Sequence, residues 1–194
     1  MARTKTTSDM FREHGVILRL WVVLGKILAG GRKSNLNFAH VGELLPIMGN
    51  YVDGCHHAKE EIHLFPALSA KNLSDDSGLI SELVSEHERS RKMLAEIVSA
   101  TEAENVHACT VAIVQYRELT FNHIGKEGPF FAKIENEISQ SEDDRIFLGF
   151  VEIEEKDVGL GSREEILDRI KRIERVYETM KLDPRMYRPA KGGP

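Results

Sequence analysis

The sequence is poor in cysteine: among 194 residues only Cys55 and Cys109 carry a thiol. Two thiols make no disulfide framework. With no apolar segment behind the polar start Met1–Ser8, they predict a reducing compartment, the cytoplasm. Positive charge is also short, with 26 Lys and Arg against 31 Asp and Glu and a net charge of −5. That balance argues against a nucleic-acid partner, because phosphate binding needs clustered cations. Long apolar runs are missing. The most apolar stretch, Val16 to Leu28, contains Arg19 and Lys26 and reads as too short to span a bilayer, so no membrane partner is expected. Strand-like alternation is scarce, and there is no low-complexity tract.

What is present is helical patterning. Apolar residues recur at spacings of three, four and seven through most of the chain. The pattern predicts helix A over about 9–28, capped by Ser8 or Asp9 and stopped by Gly30-Gly31. Helix B follows over about 36–68. Helix C spans about 76–99, behind the cap cluster Ser74-Asp75-Asp76, and helix D spans about 105–139. These lengths fit an all-α, up-down-up-down four-helix bundle over residues 1–140. Residues 141–194 read as a C-terminal helical extension packed on the bundle. It has a short helix over 145–156, a break at Gly159-Leu160-Gly161, and a last helix opened by the capping box Ser162 to Glu165. Ile166, Ile170, Ile173, Val176 and Tyr177 form the apolar face of that helix. The tail from Asp183, with three prolines and two glycines, reads as extended or disordered. Oligomeric state is not legible.

Eight histidines are the compositional oddity. A weak repeat sets His56-His57-Ala58-Lys59-Glu60 against His123-Ile124-Gly125-Lys126-Glu127. In each, a histidine and a glutamate four residues apart share one face of a helix and can reach one point. Helices A and C add the dipeptides Glu13-His14 and Glu86-His87. All four histidines lie on apolar stripes. His14 stands among Met10, Phe11, Leu18 and Trp21, and His56 among Phe38, Leu45 and Val52. His87 stands among Ile80, Leu83, Val84 and Leu94, and His123 among Tyr116, Leu119 and Phe130.

A single buried histidine is more often a hydrogen-bonded core residue, and H-x-x-x-E is a common surface spacing. Four inward histidines with two inward glutamates are another matter, because each unpartnered buried polar group costs a few kcal/mol. A bound metal relieves that cost. Imidazole and carboxylate without thiolate suit iron, manganese or zinc. Facing helices that supply histidine–carboxylate pairs are how bundles build dinuclear sites, with the two glutamates able to bridge.

The combination resembles the hemerythrin-like, or HHE cation-binding, family. The residues that carry the resemblance are Glu13-His14-Gly15, the run from Cys55 through His56-His57-Ala58-Lys59-Glu60-Glu61 to Pro66, Glu86-His87 to Arg91, and His123 to Glu127. It covers about Asp9 to Glu137. The resemblance implies a helical bundle with two non-haem iron ions held by His14, His56, Glu60, His87, His123 and Glu127. It implies a small oxidant as ligand (dioxygen, hydrogen peroxide or nitric oxide), or else iron or oxygen sensing or iron homeostasis without turnover. Oxygen carriers of the family have a second histidine four residues after the one on helix C, where this chain has Arg91. They also end in H-x-x-x-x-D, where this chain has H-x-x-x-E. The resemblance therefore points to a branch with two bridging glutamates, away from reversible carriage and toward turnover such as peroxide breakdown.

Further candidates carry paired readings. His57 is about 100° from His56 on an α-helix, at the edge of the core face, and is the second choice for a fifth imidazole. The frame His57–Glu61 competes with His56–Glu60. His63 is either beside the site or a hydrogen-bonded core residue. Tyr116 either donates its hydroxyl to a small ligand at the metals or is plain core. Arg91 either snorkels to the surface or pairs with a core-facing carboxylate. Trp21 reads as core, Cys55 as an inert buried thiol, and His40 and His107 have no role. Pro66 and Pro129 should bend helices B and D, the latter either opening access to the metals or ending the straight part of the helix.

Overall fold

A computed structural model describes residues 4–31, 36–71, 78–156 and 161–179, and every regular element among them is helical. The elements are α1 (Lys5–Gly31), α2 (Phe38–Pro46), α3 (Phe65–Ser69), α4 (Leu79–Glu102), α5 (Val106–Glu137), α6 (Gln140–Lys156) and α7 (Arg163–Val176). Between α2 and α3 the chain runs through two π-helical segments, Ile47–His57 and Glu60–Leu64. The C-terminal tail and the Ser74-Asp75-Asp76 cluster lie outside the described residues.

Several expected boundaries move, each for a visible reason. Helix A starts at Lys5 rather than after Ser8 or Asp9. Its first free amides are capped from across the fold: Asp143 of α6 accepts from the backbone N–H of Lys5 at 2.9 Å and of Thr6 at 3.0 Å. A carboxylate at a helix N-terminus satisfies amides and complements the helix dipole. Gly30 and Gly31 remain helical. At Gly30 a Cβ would lie 3.2 Å from the Tyr177 ring, so this glycine permits close packing rather than a stop. The resulting α1 has 27 residues and by length and composition could cross a membrane; 56% of its most apolar window is buried inside the fold.

Helix B is not one α-helix. Pro46 has no N–H to continue the α-helical ladder, and the wider π turn begins at the next residue. The amides of Ala58 and Phe65 donate five residues back, to Asp53 and Glu60. Pro66 falls where the second π segment passes into α3, and its missing N–H leaves the π ladder without its next bond. Pro129 does not end α5, which runs on to Glu137. Asn37 and Asn105 cap α2 and α5, and the Ser162–Glu165 capping box opens α7. On α7, Ile166, Ile170, Ile173 and Tyr177 are buried, but Val176 is 62% exposed, because the helix ends there and Tyr177 takes the inward position.

Helices α4 and α5 pack along each other, and α1 packs against α2, α5, α6 and α7. The buried apolar residues form two clusters. One holds Leu20, Trp21, Leu24, Met48, Val52, Ile97, Ile113 and Tyr116, and α7 closes it with Ile166, Ile170 and Ile173. The other holds Met10, Leu64, Phe65, Leu83, Phe130, Phe131 and Phe150. On α1, on the π-helical stretch, on α4 and on α5, the buried histidines and glutamates fall between these clusters. A polar layer is thus sealed at both ends by apolar side chains.

Candidate metal centre

Two groups of ligand atoms meet in that layer. His14, His56 and Glu127 form one; Glu60, His87, His123 and Glu127 form the other, and within each group the ligand atoms lie within 4.8 Å of one another. His57, His87 and His123 satisfy the same condition. Glu127 belongs to both groups: Oε2 is 3.0 Å from His14 Nε2, and Oε1 is 2.8 Å from His123 Nε2. Glu60 Oε2 is 3.3 Å from His87 Nε2. All seven side chains are buried, Glu60 and Glu127 completely.

His57 enters because of the π-helix. More residues per turn narrow the angle between neighbours, so His56 and His57 both face inward, and the His57 ring stacks on His87 at 3.9 Å. Glu61, the partner in the competing frame, instead accepts from His87 Nδ1 at 2.7 Å and from Arg91 at 2.7 Å. Arg91 also pairs with Asp53 at 2.7 Å, and Asp53 accepts from His57 Nδ1 at 3.3 Å. Arg91 of α4 thus clamps Asp53 and Glu61, the carboxylates behind His57 and His87.

The outer partners are the residues that sequence reasoning missed. His56 Nδ1 donates to Glu13 at 2.9 Å, and Lys59 Nζ donates to Glu13 at 2.6 Å. In the other half, His123 Nδ1 donates to Glu86 at 3.0 Å, and Lys126 Nζ donates to Glu86 at 2.6 Å. The signal was in view: each Glu-His dipeptide on α1 or α4 supplies the carboxylate for the H-x-x-K-E repeat on the facing element. An ionised carboxylate only accepts, so the proton sits on Nδ1 and Nε2 is left for a metal.

The donor set passes a physical test for a cation. Nε2 of His14 and His56 and both oxygens of Glu60 and Glu127 are buried with no hydrogen-bond partner. The approaches near 3 Å between them are ion-pair distances without hydrogen-bond geometry. Burial, then the neighbouring Glu127, pushes the Glu60 carboxyl well above its ordinary range. Burial works the same way on Glu127, but His123 and His14 draw it well below. Burial and His123 hold His87 down to about 4, and burial with His87 and His56 beside it holds His57 well below the usual imidazole range. Glu13, against its burial, is drawn down to about 2 by His56 and Lys59. Such opposed shifts mark groups placed together for a charge that the side chains do not themselves supply.

The remaining candidates fall elsewhere. His63 is not at the centre; it lies within the second π segment on a half-buried face, and its ring packs on Gly149 of α6. Tyr116 is buried against Trp21 at 4.9 Å in the apolar cluster, and burial raises its hydroxyl to about 12. His40 Nδ1 lies 2.8 Å from the Tyr177 hydroxyl, and His107 is exposed. Cys55 and Cys109 are buried thiols that form no disulfide, with Cys55 Sγ 3.9 Å from Glu13.

No curated protein and no solved structure matches the chain. The family model for the hemerythrin HHE cation-binding domain matches residues 6–128. Its span takes in every ligand atom described above, and the chain belongs to the hemerythrin HHE cation-binding family.

Proposed function

We propose that the chain is a non-haem di-iron protein that binds and reduces a small oxidant, dioxygen, hydrogen peroxide or nitric oxide. The observation that carries this reading is the pair of ligand groups joined at Glu127. His14 and His56 would hold one ion, and His57, His87 and His123 the other. Glu60 would join the second set, and Glu127, which belongs to both groups, could serve either ion. Ferrous ions at these positions would supply the electrons for reduction. The chain supplies orientation and selection. Glu13, Glu86 and Glu61 fix three imidazoles through Nδ1. Phe131 stacks on His14 and Phe65 on His87, so apolar walls bound the layer and favour a ligand of a few atoms. Iron is preferred for this histidine–carboxylate set, which manganese or zinc also fits.

A binding or sensing role without turnover is the second reading. It is favoured by the ion pairs that run from the outer partners of the centre to α6 and α7. The deciding experiment is anaerobic loading with ferrous iron, metal analysis, and then addition of peroxide in excess. About two irons per chain and dioxygen evolved over many cycles, one for every two peroxides consumed because the second peroxide returns the electrons that the first took, support the first reading. One equivalent consumed and no more supports the second, and well under one iron per chain refutes both.

A further inference from the structure

We infer that the C-terminal helices hold one of the two metal positions and not the other, with Glu154 of α6 and Arg163 of α7 as positioning residues for His56. This rests on the metal-centre reading above, and both residues lie beyond the part of the chain that the family model matches.

The two halves of the centre are built alike as far as the lysine. His56–Glu13–Lys59 in one half corresponds to His123–Glu86–Lys126 in the other. Beyond the lysine they differ. The Lys126 side chain is 30% exposed, and its second partner, Glu82, is 55% exposed. On the same side Arg91 and Glu61 are also open to water, at 37% and 27%. Lys59 is completely buried. Its ammonium group donates to Asp9 at 2.8 Å, to Glu13 at 2.6 Å and to Glu154 at 2.6 Å, and it lies 5.3 Å from the centre of the Phe150 ring of α6.

Arg163 ties the same three carboxylates, at 2.8 Å to Asp9 and 3.5 Å to Glu13 and Glu154, and reaches the Tyr51 hydroxyl at 3.3 Å. A cleft of about 510 Å³, lined by Asp9, Tyr51, Cys55, Glu154 and Arg163 among others, lies against this network. A buried ammonium stays where its carboxylates hold it, since leaving one unpaired is costly. Lys59 therefore fixes the Glu13 carboxylate that orients His56, and Glu154 and Arg163 fix Lys59. Without them, water from the cleft reaches the network and Glu13 can turn. Glu154 and Arg163 are themselves 46% and 28% exposed, so the halves differ at the lysine: the His14–His56 position is latched through the fully buried Lys59, whereas Lys126 in the other half is 30% exposed.

The test is ferrous release from the full-length, iron-loaded chain to an excess of coloured chelator without oxygen. Wild type should release its two irons in two phases of different rate. Lys126→Gln should speed the faster phase. The double variant Glu154→Gln with Arg163→Gln should speed the slower one by about 10- to 100-fold, the usual effect of losing an outer-shell partner, and leave the faster one in place. Glu155→Gln, an exposed neighbour, should change neither phase, and circular dichroism checks that each variant is folded. The inference is overturned if the double variant leaves the slower phase unchanged, or if it speeds both phases alike, as general loosening of the fold would. A wild-type chain that takes up fewer than two irons overturns the metal-centre reading instead.

Discussion

Replacing Glu60 by methionine should stabilise the metal-free protein while abolishing its dinuclear centre. Glu60 is completely buried, neither of its oxygens has a hydrogen-bond partner, and the nearby imidazole nitrogen His87 Nε2 is 3.3 Å away. Burial and Glu127 push its carboxyl well above the ordinary range, so without metal it is held neutral. An unsatisfied buried polar group costs about 1–3 kcal/mol. Methionine conserves volume and leaves no polar atom to satisfy. A gain of about 2 kcal/mol corresponds to a rise in Tm of about 4–8 °C for a chain of this size. Ferrous iron at a thousand times its Kd would stabilise wild type by about 4 kcal/mol, and the variant should lose most of that increment. The assay is thermal unfolding of both proteins, with and without iron, under anaerobic conditions. If metal-free Glu60→Met is instead less stable by about 3–5 kcal/mol, as when one partner of a buried ion pair is removed, then Glu60 is a satisfied partner of His87 and the case for an awaited cation fails.

Glu127→Ala should lose both irons, since Glu127 belongs to both ligand groups, whereas His40→Ala, whose ring meets Tyr177, should keep both; equal iron content by elemental analysis would refute the ligand assignment. Glu13→Gln and Glu86→Gln should each weaken iron binding by about 10- to 100-fold without removing a ligand, measured by competition with a chelator of known affinity. The metal-free protein should be most stable near pH 6.5. His87, held down to about 4 from 6.5 by burial and His123, refuses a proton that the unfolded chain accepts, so stability falls as pH drops through that window. His123, raised to about 9 against its burial by Glu127 and Glu86, keeps a proton that the unfolded chain has lost. That stabilisation is complete below 6.5 and disappears as pH rises through 9. Urea unfolding across pH checks this, and monotonic dependence through the whole range would contradict it.

The helical architecture and the inward set His14, His56, Glu60, His87, His123 and Glu127 were legible in the sequence. Heptad spacing places residues on a helix face, and a helix face is a local property that neighbouring residues specify. The α7 capping box was legible for the same reason. Three things were not. His57 turns inward because the chain between Pro46 and Pro66 winds as a π-helix, and α-helical spacing gives the wrong angle there. α1 begins at Lys5 because Asp143, far along the chain, caps it. Lys59 is held by Asp9, Glu13 and Glu154, drawn from two other helices. The sequence by itself decided that His14, His56, Glu60, His87, His123 and Glu127 face the interior, since that follows from periodicity along each helix. Only the tertiary structure decided what stands behind them, because a hydrogen bond between helices depends on how the helices are placed, and no local pattern encodes that placement.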